Sequence, residues 1–322
     1  MRRIAVLTSG GDAPGMNACL RAVIRSAIHH HLEVTGIMQG YRGLLDADLR
    51  SLNLRSAANI IQRGGTILGT ARCEEMKTEA GMEKAIEVLH KEGIEGLITL
   101  GGDGTFRGAR ELSDRSGVKV VGIPATIDND VYGTDFSIGF DTAVNTALES
   151  IDRIRDTAES LQRPFFIEVM GKNRGFIALE VGVSGGAESV LIPETKTMIE
   201  KVCRRINQDI KRGKKSSIIV VAEGDEVGGV FRIAQQVWER LGIEYRICVL
   251  GHVQRGGSPT ARDRILGSKL GVAAVEALIS DQTGCMVGEV KGEIAYTPLE
   301  DTWRKVKPLD DYLLRLLPLL AT

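Results

Sequence analysis

Cysteine is sparse and unpaired in this chain of 322 residues: Cys19, Cys73, Cys203, Cys248 and Cys285 are scattered, odd in number and never arranged as CxxC. That pattern excludes a disulfide framework and a thiolate zinc site, and it predicts a reducing, cytoplasmic setting. Charge of one sign is lacking too. With 41 Lys+Arg against 42 Asp+Glu the formal charge is −1, which removes the electrostatic reason to expect nucleic acid or an anionic membrane as partner. Long apolar runs are missing. Ile218–Ala222 is typical of the aliphatic stretches, far short of the ~18 residues that span a bilayer. The N-terminal Ile4–Leu7 is likewise too short for a secretory segment. No G-x-G-x-x-G and no G-x-x-x-x-G-K-[ST] occurs, which disfavours a standard dinucleotide site and a Walker-type triphosphatase. Nor is there a Pro/Ser-rich linker or a short-period repeat to mark a domain boundary.

What is present is alternation. Strand candidates Ile4–Leu7, Leu97–Leu100, Val118–Ile123, Phe165–Val169, Ile218–Ala222 and Ile247–Leu250 are separated by longer amphipathic stretches. Those stretches are Met16–His30, Met82–Lys91, Gly139–Ala158, Met198–Arg212, Val230–Leu241 and Pro259–Ile279. Strands followed by helices predict βαβ units and an α/β fold with parallel strands buried on both faces. The 38 glycines gather where strands end, at Gly10-Gly11, Gly101-Gly102 with Gly104, Gly171 with Gly175, and Gly251 with Gly256-Gly257. Ligands of open α/β sheets bind outside the carboxyl ends of the strands, so these loops are the candidate sites.

Leu7–Asn17 reads as a strand passing through glycines into a helix, a geometry that offers backbone N–H groups and a helix N-terminus to an anion. In Leu100–Thr105 an acid, Asp103, sits inside such a loop. Among phosphate-binding amides a carboxylate repels the ligand unless a divalent cation bridges the two, so the loop predicts Mg²⁺ with a polyphosphate; the plainer alternative is Asp103 as an N-cap. Pro124–Asp130 places two acids and an amide at a strand's carboxyl end, where they are costly if merely buried. Asp128 is the candidate general base, and Asn129 and Asp130 suit a structural Asx turn. Arginines, a lysine and a histidine recur beside glycines or strand ends: Arg72, Arg163, Lys172 with Arg174, Arg246, and His252 with Arg255. Guanidinium groups so placed suit bidentate phosphate binding, although any one alone reads as a surface charge.

With Gly10–Gly15, Gly101–Thr105, Thr126–Asp130 and Gly251–Pro259 in this order, the chain resembles the bacterial ATP-dependent 6-phosphofructokinases from Arg3 to about Gly271. The resemblance implies two similar α/β domains, each a mostly parallel sheet sandwiched by helices, with the active site in the cleft between them. It implies an ATP-binding domain of residues 1–139 plus 252–305 and a fructose-6-phosphate-binding domain of residues 140–251 plus 306–322. It places Gly11, Arg72, Cys73, Gly102, Asp103, Gly104 and Thr105 on ATP, with Asp103 on Mg²⁺. Thr126, Ile127, Asp128, Met170, Gly171, Lys172, Glu223, His252, Val253, Gln254 and Arg255 would meet the sugar phosphate. Of these, Asp128, Thr126 and Lys172 are catalytic together with Arg72. Arg163 and Arg246 would reach the same phosphate from a neighbouring subunit, which implies a homotetramer.

The resemblance also implies an effector site for ADP or phosphoenolpyruvate, built from Arg21, Arg25, Arg155, Gly186, Ala187, Glu188, Arg212, Lys214, Lys215 and Ser216. The family's Arg in Met-Gly-Arg is Lys172 here, so either Lys172 acts as a point charge or Arg174 replaces it. Pyrophosphate-using relatives carry Asp and Lys where this chain has Gly104 and Ala125, which favours ATP as donor. A pyrophosphate-dependent enzyme of the same fold is the alternative.

Overall fold

Ile4, Ala5, Val6 and Leu7 are all fully buried, which requires a strand covered on both faces. They form most of β1 (Arg3–Thr8) in a computed structural model that describes residues 1–214 and 216–320. There follow α1 (Met16–His29), β2 (Glu33–Ile37), α2 (Tyr41–Leu45), β3 (Leu49–Leu52), α3 (Glu79–Lys91), β4 (Gly96–Gly101), α4 (Asp103–Ser116) and β5 (Lys119–Pro124). The middle of the chain holds α5 (Phe140–Leu161), β6 (Pro164–Val169), α6 (Phe176–Ser184), β7 (Ser189–Leu191), α7 (Ile199–Lys211), β8 (Ser217–Ala222), α8 (Val230–Leu241) and β9 (Arg246–Val249). A 3₁₀ turn at Gly251–Arg255 leads into α9 (Ala261–Ile279), β10 (Cys285–Val290), β11 (Glu293–Pro298), α10 (Asp301–Arg304) and α11 (Asp311–Leu320). No helix of the described residues is long and apolar enough to cross a membrane.

Contacts divide the chain into two units. Unit one is Met1–Ile127, Val131–Thr142 and Arg255–Lys307; unit two is Asp128–Asp130, Ala143–Gln254 and the chain from Pro308 on. The sheet of unit one has seven strands in the order β11-β10-β5-β4-β1-β2-β3. Its five inner strands are parallel, and the outermost, β3 and β11, run antiparallel to their neighbours. One side is filled by Leu7, Ile37, Leu44, Leu97, Phe106 and Leu112 among others. Elsewhere in the unit α9 lies unusually close to α1: a side chain at Gly271 would collide with the Cys19 carbonyl and Ala22, so glycine is what permits the approach. Unit two has a four-stranded, all-parallel sheet in the order β7-β8-β6-β9, with Phe166, Ile206, Ile219, Val221 and Ile233 in its core.

Each sheet contains a reversal of strand order. In unit one the chain moves from β1 to β2 on one side and later lays β4 on the other, so the loops after β1 and β4 flank the switch point. In unit two β6 lies between β8 and β9, so the tips of these three strands are neighbours.

The structure contains strands that the aliphatic runs did not reveal. β2, β3, β7, β10 and β11 are short or half exposed, and β3 has no buried residue. The helix expected after the Gly101–Thr105 loop is α4; its extent to Ser116 was not legible, because its sequence is polar apart from the buried Thr105, Phe106, Ala109 and Leu112.

Candidate active site

In unit one, three neighbouring strand tips are tied together by backbone bonds. The Ser9 N–H donates to the Leu100 carbonyl (3.0 Å) and the Ala125 N–H to the Gly101 carbonyl (3.0 Å). Helix α4 starts at this point with Gly102 as N-cap and Asp103 as its first residue, so Asp103 is not the N-cap itself. Thr105 Oγ1 donates to the Ser9 carbonyl (3.2 Å), and the Tyr41 hydroxyl donates to the Thr105 carbonyl (2.5 Å). Burial pushes the Tyr41 phenol far above its ordinary range, so it remains a donor.

The glycines of this loop do different jobs. A Cβ at Gly101 would strike Thr105 Oγ1 and the Ser9 carbonyl, so the fold itself demands glycine there. At Gly102 and Gly104 a Cβ would meet nothing within 4 Å, and Gly102 has an ordinary extended backbone (φ −113°, ψ −161°). Neither packing nor backbone conformation calls for glycine at 102. What the two residues leave beside the half-buried Asp103 is space.

The segment after β3 forms a second wall. Thr8 Oγ1 donates to the Gly69 carbonyl (2.7 Å), and Thr70 Oγ1 donates to the Gly10 carbonyl (2.8 Å). Arg72 follows, exposed, with Cys73 half-buried against the core. Asn17, buried in the first turn of α1, anchors this wall. Its Nδ2 donates to the Arg63 and Gly64 carbonyls (3.1 and 3.0 Å), and its Oδ1 accepts from the Ile67 N–H (2.8 Å). Sequence reading passed over Asn17; an amide so close behind Gly15 in an apolar helix was the available signal. Arg255 is also found here. Its guanidinium lies where a Gly11 side chain would be, and Nη1 donates to the Asp12 carbonyl at 3.4 Å.

Gly101 pairs with Pro124, so the chains leading to Asp103 and to Asp128 leave the same end of neighbouring parallel strands. Ala125 is buried and bridges to Ile138, and the Ser137 hydroxyl donates to the Thr126 carbonyl (2.6 Å). Ile127 is buried, and Asp128–Asp130 groups with unit two. Asp128 is 8% exposed and Asn129 has the left-handed φ of 53° that the Asx-turn reading anticipates.

In unit two the tips of β8, β6 and β9 bring together Glu223, Met170–Lys172 and His252–Gln254. The Glu223 N–H donates to the Val169 carbonyl (3.0 Å) and the Leu250 N–H to the Glu168 carbonyl (3.0 Å). After β6 the chain turns sharply, with Gly171 at φ 145° and Lys172 at φ 56°. The Lys172 N–H donates to Glu223 Oε1 (2.7 Å), the Met170 N–H to Gln254 Oε1 (2.9 Å), and the Arg174 N–H to the Gly171 carbonyl (2.9 Å). A side chain at Gly224 would run into the Lys172 carbonyl, so the two tips are in backbone contact. Lys172, Glu223, His252 and Val253 are exposed. Arg174 instead pairs with Glu194 (3.1 Å) and lies over the Phe176 ring, while the Glu194 carboxylate also accepts from the Gly175 N–H.

Two groups of sequence candidates lie elsewhere. Arg163 precedes β6 and pairs with Glu244 (2.7 Å), and Arg246 opens β9. Both sit at the amino end of this sheet, a strand length of about 20 Å from the Met170–Lys172 turn. Within unit two, Arg155 donates to the Gly185 and Gly186 carbonyls (2.5 and 3.2 Å). Next to it Lys214 pairs with the buried Glu188 (2.5 Å), which also accepts from the Ile218 N–H; Ala187 is buried, and Arg212 and Ser216 flank Lys214 in the chain. Lys215 lies outside the described residues. Arg21 and Arg25 are on α1 in unit one, half-buried and exposed respectively.

A family model described as Phosphofructokinase matches residues 3–278. The chain belongs to the phosphofructokinase family. It is 57% identical over 321 residues to the "ATP-dependent 6-phosphofructokinase 1" of Thermus thermophilus, covering 100% of both chains. Among solved structures it resembles phosphofructokinase from Saccharomyces cerevisiae (TM-score 0.89, 33% identity), covering 94% of this chain and 45% of that longer one. It also shares its fold with a pyrophosphate-dependent phosphofructokinase from Marinobacter aquaeolei (TM-score 0.86, 24% identity, 100% of this chain and 92% of that one).

Proposed function

We propose that this chain transfers the γ-phosphoryl group of MgATP to the 1-hydroxyl of fructose 6-phosphate, giving fructose 1,6-bisphosphate and ADP. The observation that carries this reading is the empty space beside Gly102 and Gly104, which flank a half-buried acid at a helix N-terminus and switch point. Among the described residues no three ligating side chains converge, so a metal here depends on Asp103 together with phosphate oxygens and water. That donor set suits Mg²⁺, which is bound through one or two carboxylates plus substrate phosphates and when bound offsets charge on the phosphate oxygens. Gly11, Arg72, Cys73, Gly102, Gly104 and Thr105 frame the nucleotide, with the N-terminus of α4 directed at its phosphates.

Asp128 takes the proton from the attacking 1-hydroxyl, an effect typically worth about 10²–10⁴ in rate. Thr126 holds the sugar phosphate next to it. Lys172 supplies the positive charge beside the transferring phosphoryl group as a compact point charge. The Arg174 guanidinium is engaged by Glu194 and the Phe176 ring, which leaves the task to Lys172. His252 and Arg255 bind the 6-phosphate. For Arg255 this means leaving the Asp12 carbonyl, a contact long enough at 3.4 Å to be given up at little cost.

Arg163 and Arg246 cannot reach the turn at the other end of their own sheet, since a side chain spans less than half a strand. Their part in binding the 6-phosphate therefore requires a second copy, and a homotetramer supplies it. Within unit two, Arg155, Gly186, Ala187, Glu188, Arg212, Lys214 and Ser216 supply the basic groups that would bind ADP or phosphoenolpyruvate as effector. The enzyme works in the cytoplasm, where its cysteines stay reduced. Measuring fructose 1,6-bisphosphate formation with ATP and with pyrophosphate at equal concentration tests the donor. Turnover at least 100-fold faster with ATP is expected, and faster turnover with pyrophosphate would overturn the choice.

A further inference from the structure

Gln254 is completely buried, yet it stands two residues after the exposed His252. A buried carboxamide needs a reason, because desolvating it is unfavourable unless its polar atoms are bonded. Its oxygen receives the Met170 N–H at 2.9 Å, across two strand tips that are remote in sequence. Its nitrogen is buried as well and makes no hydrogen bond among the described residues. The useful atom is therefore the acceptor. The segment it holds is the turn in which Lys172 adopts a left-handed backbone, a conformation that persists only where the surroundings impose it. Glu223 takes the Lys172 N–H and Gln254 takes the Met170 N–H, so the turn is clamped at both ends by side-chain acceptors.

We propose that Gln254 is a positioning residue that contacts neither sugar nor nucleotide: its buried carboxamide oxygen fixes the Met170–Lys172 turn relative to the 3₁₀ turn that carries His252, and so aims the Lys172 ammonium. The role of the aimed ammonium rests on the kinase reading above; the clamp itself does not. Gln254→Met keeps about the same volume and removes the acceptor, whereas Gln254→Glu keeps an acceptor oxygen and replaces the unbonded nitrogen by a second oxygen, which a site this buried favours in its neutral, protonated form. Both are compared with the wild type in the full-length protein.

Gln254→Met should lower kcat by about 10–100-fold with the fructose 6-phosphate KM within about threefold, since misplacement of a reacting group by ~1 Å costs on that order. Gln254→Glu should restore at least tenfold of the loss. Added to Lys172→Ala, Gln254→Met should change kcat less than twofold, because the two act through one ammonium. Hydrogen exchange of the peptide spanning Met170–Lys172 should accelerate in Gln254→Met and stay slow in Gln254→Glu. A large rise in KM at constant kcat would make Gln254 a substrate contact, and full additivity with Lys172→Ala would detach it from the ammonium. Either result overturns the proposal, as does unchanged exchange. If Gln254→Met does not fold, Gln254→Asn, which draws the acceptor back by one methylene, takes its place: faster exchange of Met170–Lys172 together with lowered kcat upholds the clamp, and a wild-type value of either refutes it. A wild type inactive with MgATP would sink the kinase reading, and the exchange measurement would still judge the clamp.

Discussion

The strand tips of unit one and those of unit two solve different problems. At Ser9–Asp12 and Gly101–Thr105 the working surface is backbone, and side chains are kept away: nothing stands within 4 Å of where a Gly102 or Gly104 side chain would be. At Met170–Lys172, Glu223 and Gln254 the surface is side chain, and polar groups are spent holding one turn in a strained shape. A large polyanion is met best by amides and room, whereas a single charge that must be aimed calls for a rigid support. Glycine therefore has opposite meanings in the two places. Gly104 leaves open room at a helix N-terminus, while Gly224 is a point of backbone contact that permits a neighbouring turn.

Removing Asp128, the proposed proton acceptor, should have the greatest consequence. Asp128→Ser should lower kcat by about 10²–10⁴ while the fructose 6-phosphate KM stays within about tenfold, read by coupled ADP release. An undiminished kcat would remove Asp128 from the chemistry. The next experiment separates glycine as space from glycine as packing. Gly104→Ala should leave stability unchanged or raise it by up to about 1 kcal/mol, because it lies in a helical turn with open room, while weakening ATP binding. Gly101→Ala should cost about 1–3 kcal/mol in denaturant unfolding through collision with Thr105 and Ser9. Equal destabilisation by both would erase the distinction.

A slighter change is expected at Asp263, which joins α9 to the start of α5. Its carboxylate accepts from the Gly139 N–H (2.8 Å), the Thr142 N–H (2.8 Å) and the Thr142 hydroxyl (2.5 Å). Burial nonetheless raises its pKa above the ordinary carboxylate value, so the folded state binds the proton more tightly than the unfolded one. Its contribution to stability is thus full below the ordinary carboxylate pKa and declines as pH rises through the raised one. Asp263→Asn should remove that decline, a flattening of about 1–3 °C in the melting temperature across this window. A pH profile identical to the wild type would assign the slope to another group.

Much of this was legible in the chain before it folded. Strands buried on both faces announce themselves as unbroken aliphatic runs, so β1, β4, β5, β6 and β8 could be read directly. Edge strands such as β3 and β11 could not, since half-exposed residues carry no such run. The length of helix α4 escaped, though its start did not, because it packs only a narrow stripe, Phe106, Ala109 and Leu112, under a polar surface. The Gly-Gly-Asp-Gly-Thr loop was recognisable from composition and order alone, but the reason for each glycine was not.

The α/β class, the loops at strand tips and the acids within them follow from the chain alone, because strand burial and turn chemistry are local and leave local signatures. Folding in three dimensions chose which acceptor holds which amide. Gln254 reaches Met170 across 84 positions, Arg255 rests on the Asp12 carbonyl, and Arg174 is taken up by Glu194. Such pairings depend on which strand tips become neighbours, and strand order is set by packing of the whole sheet rather than by any segment of it.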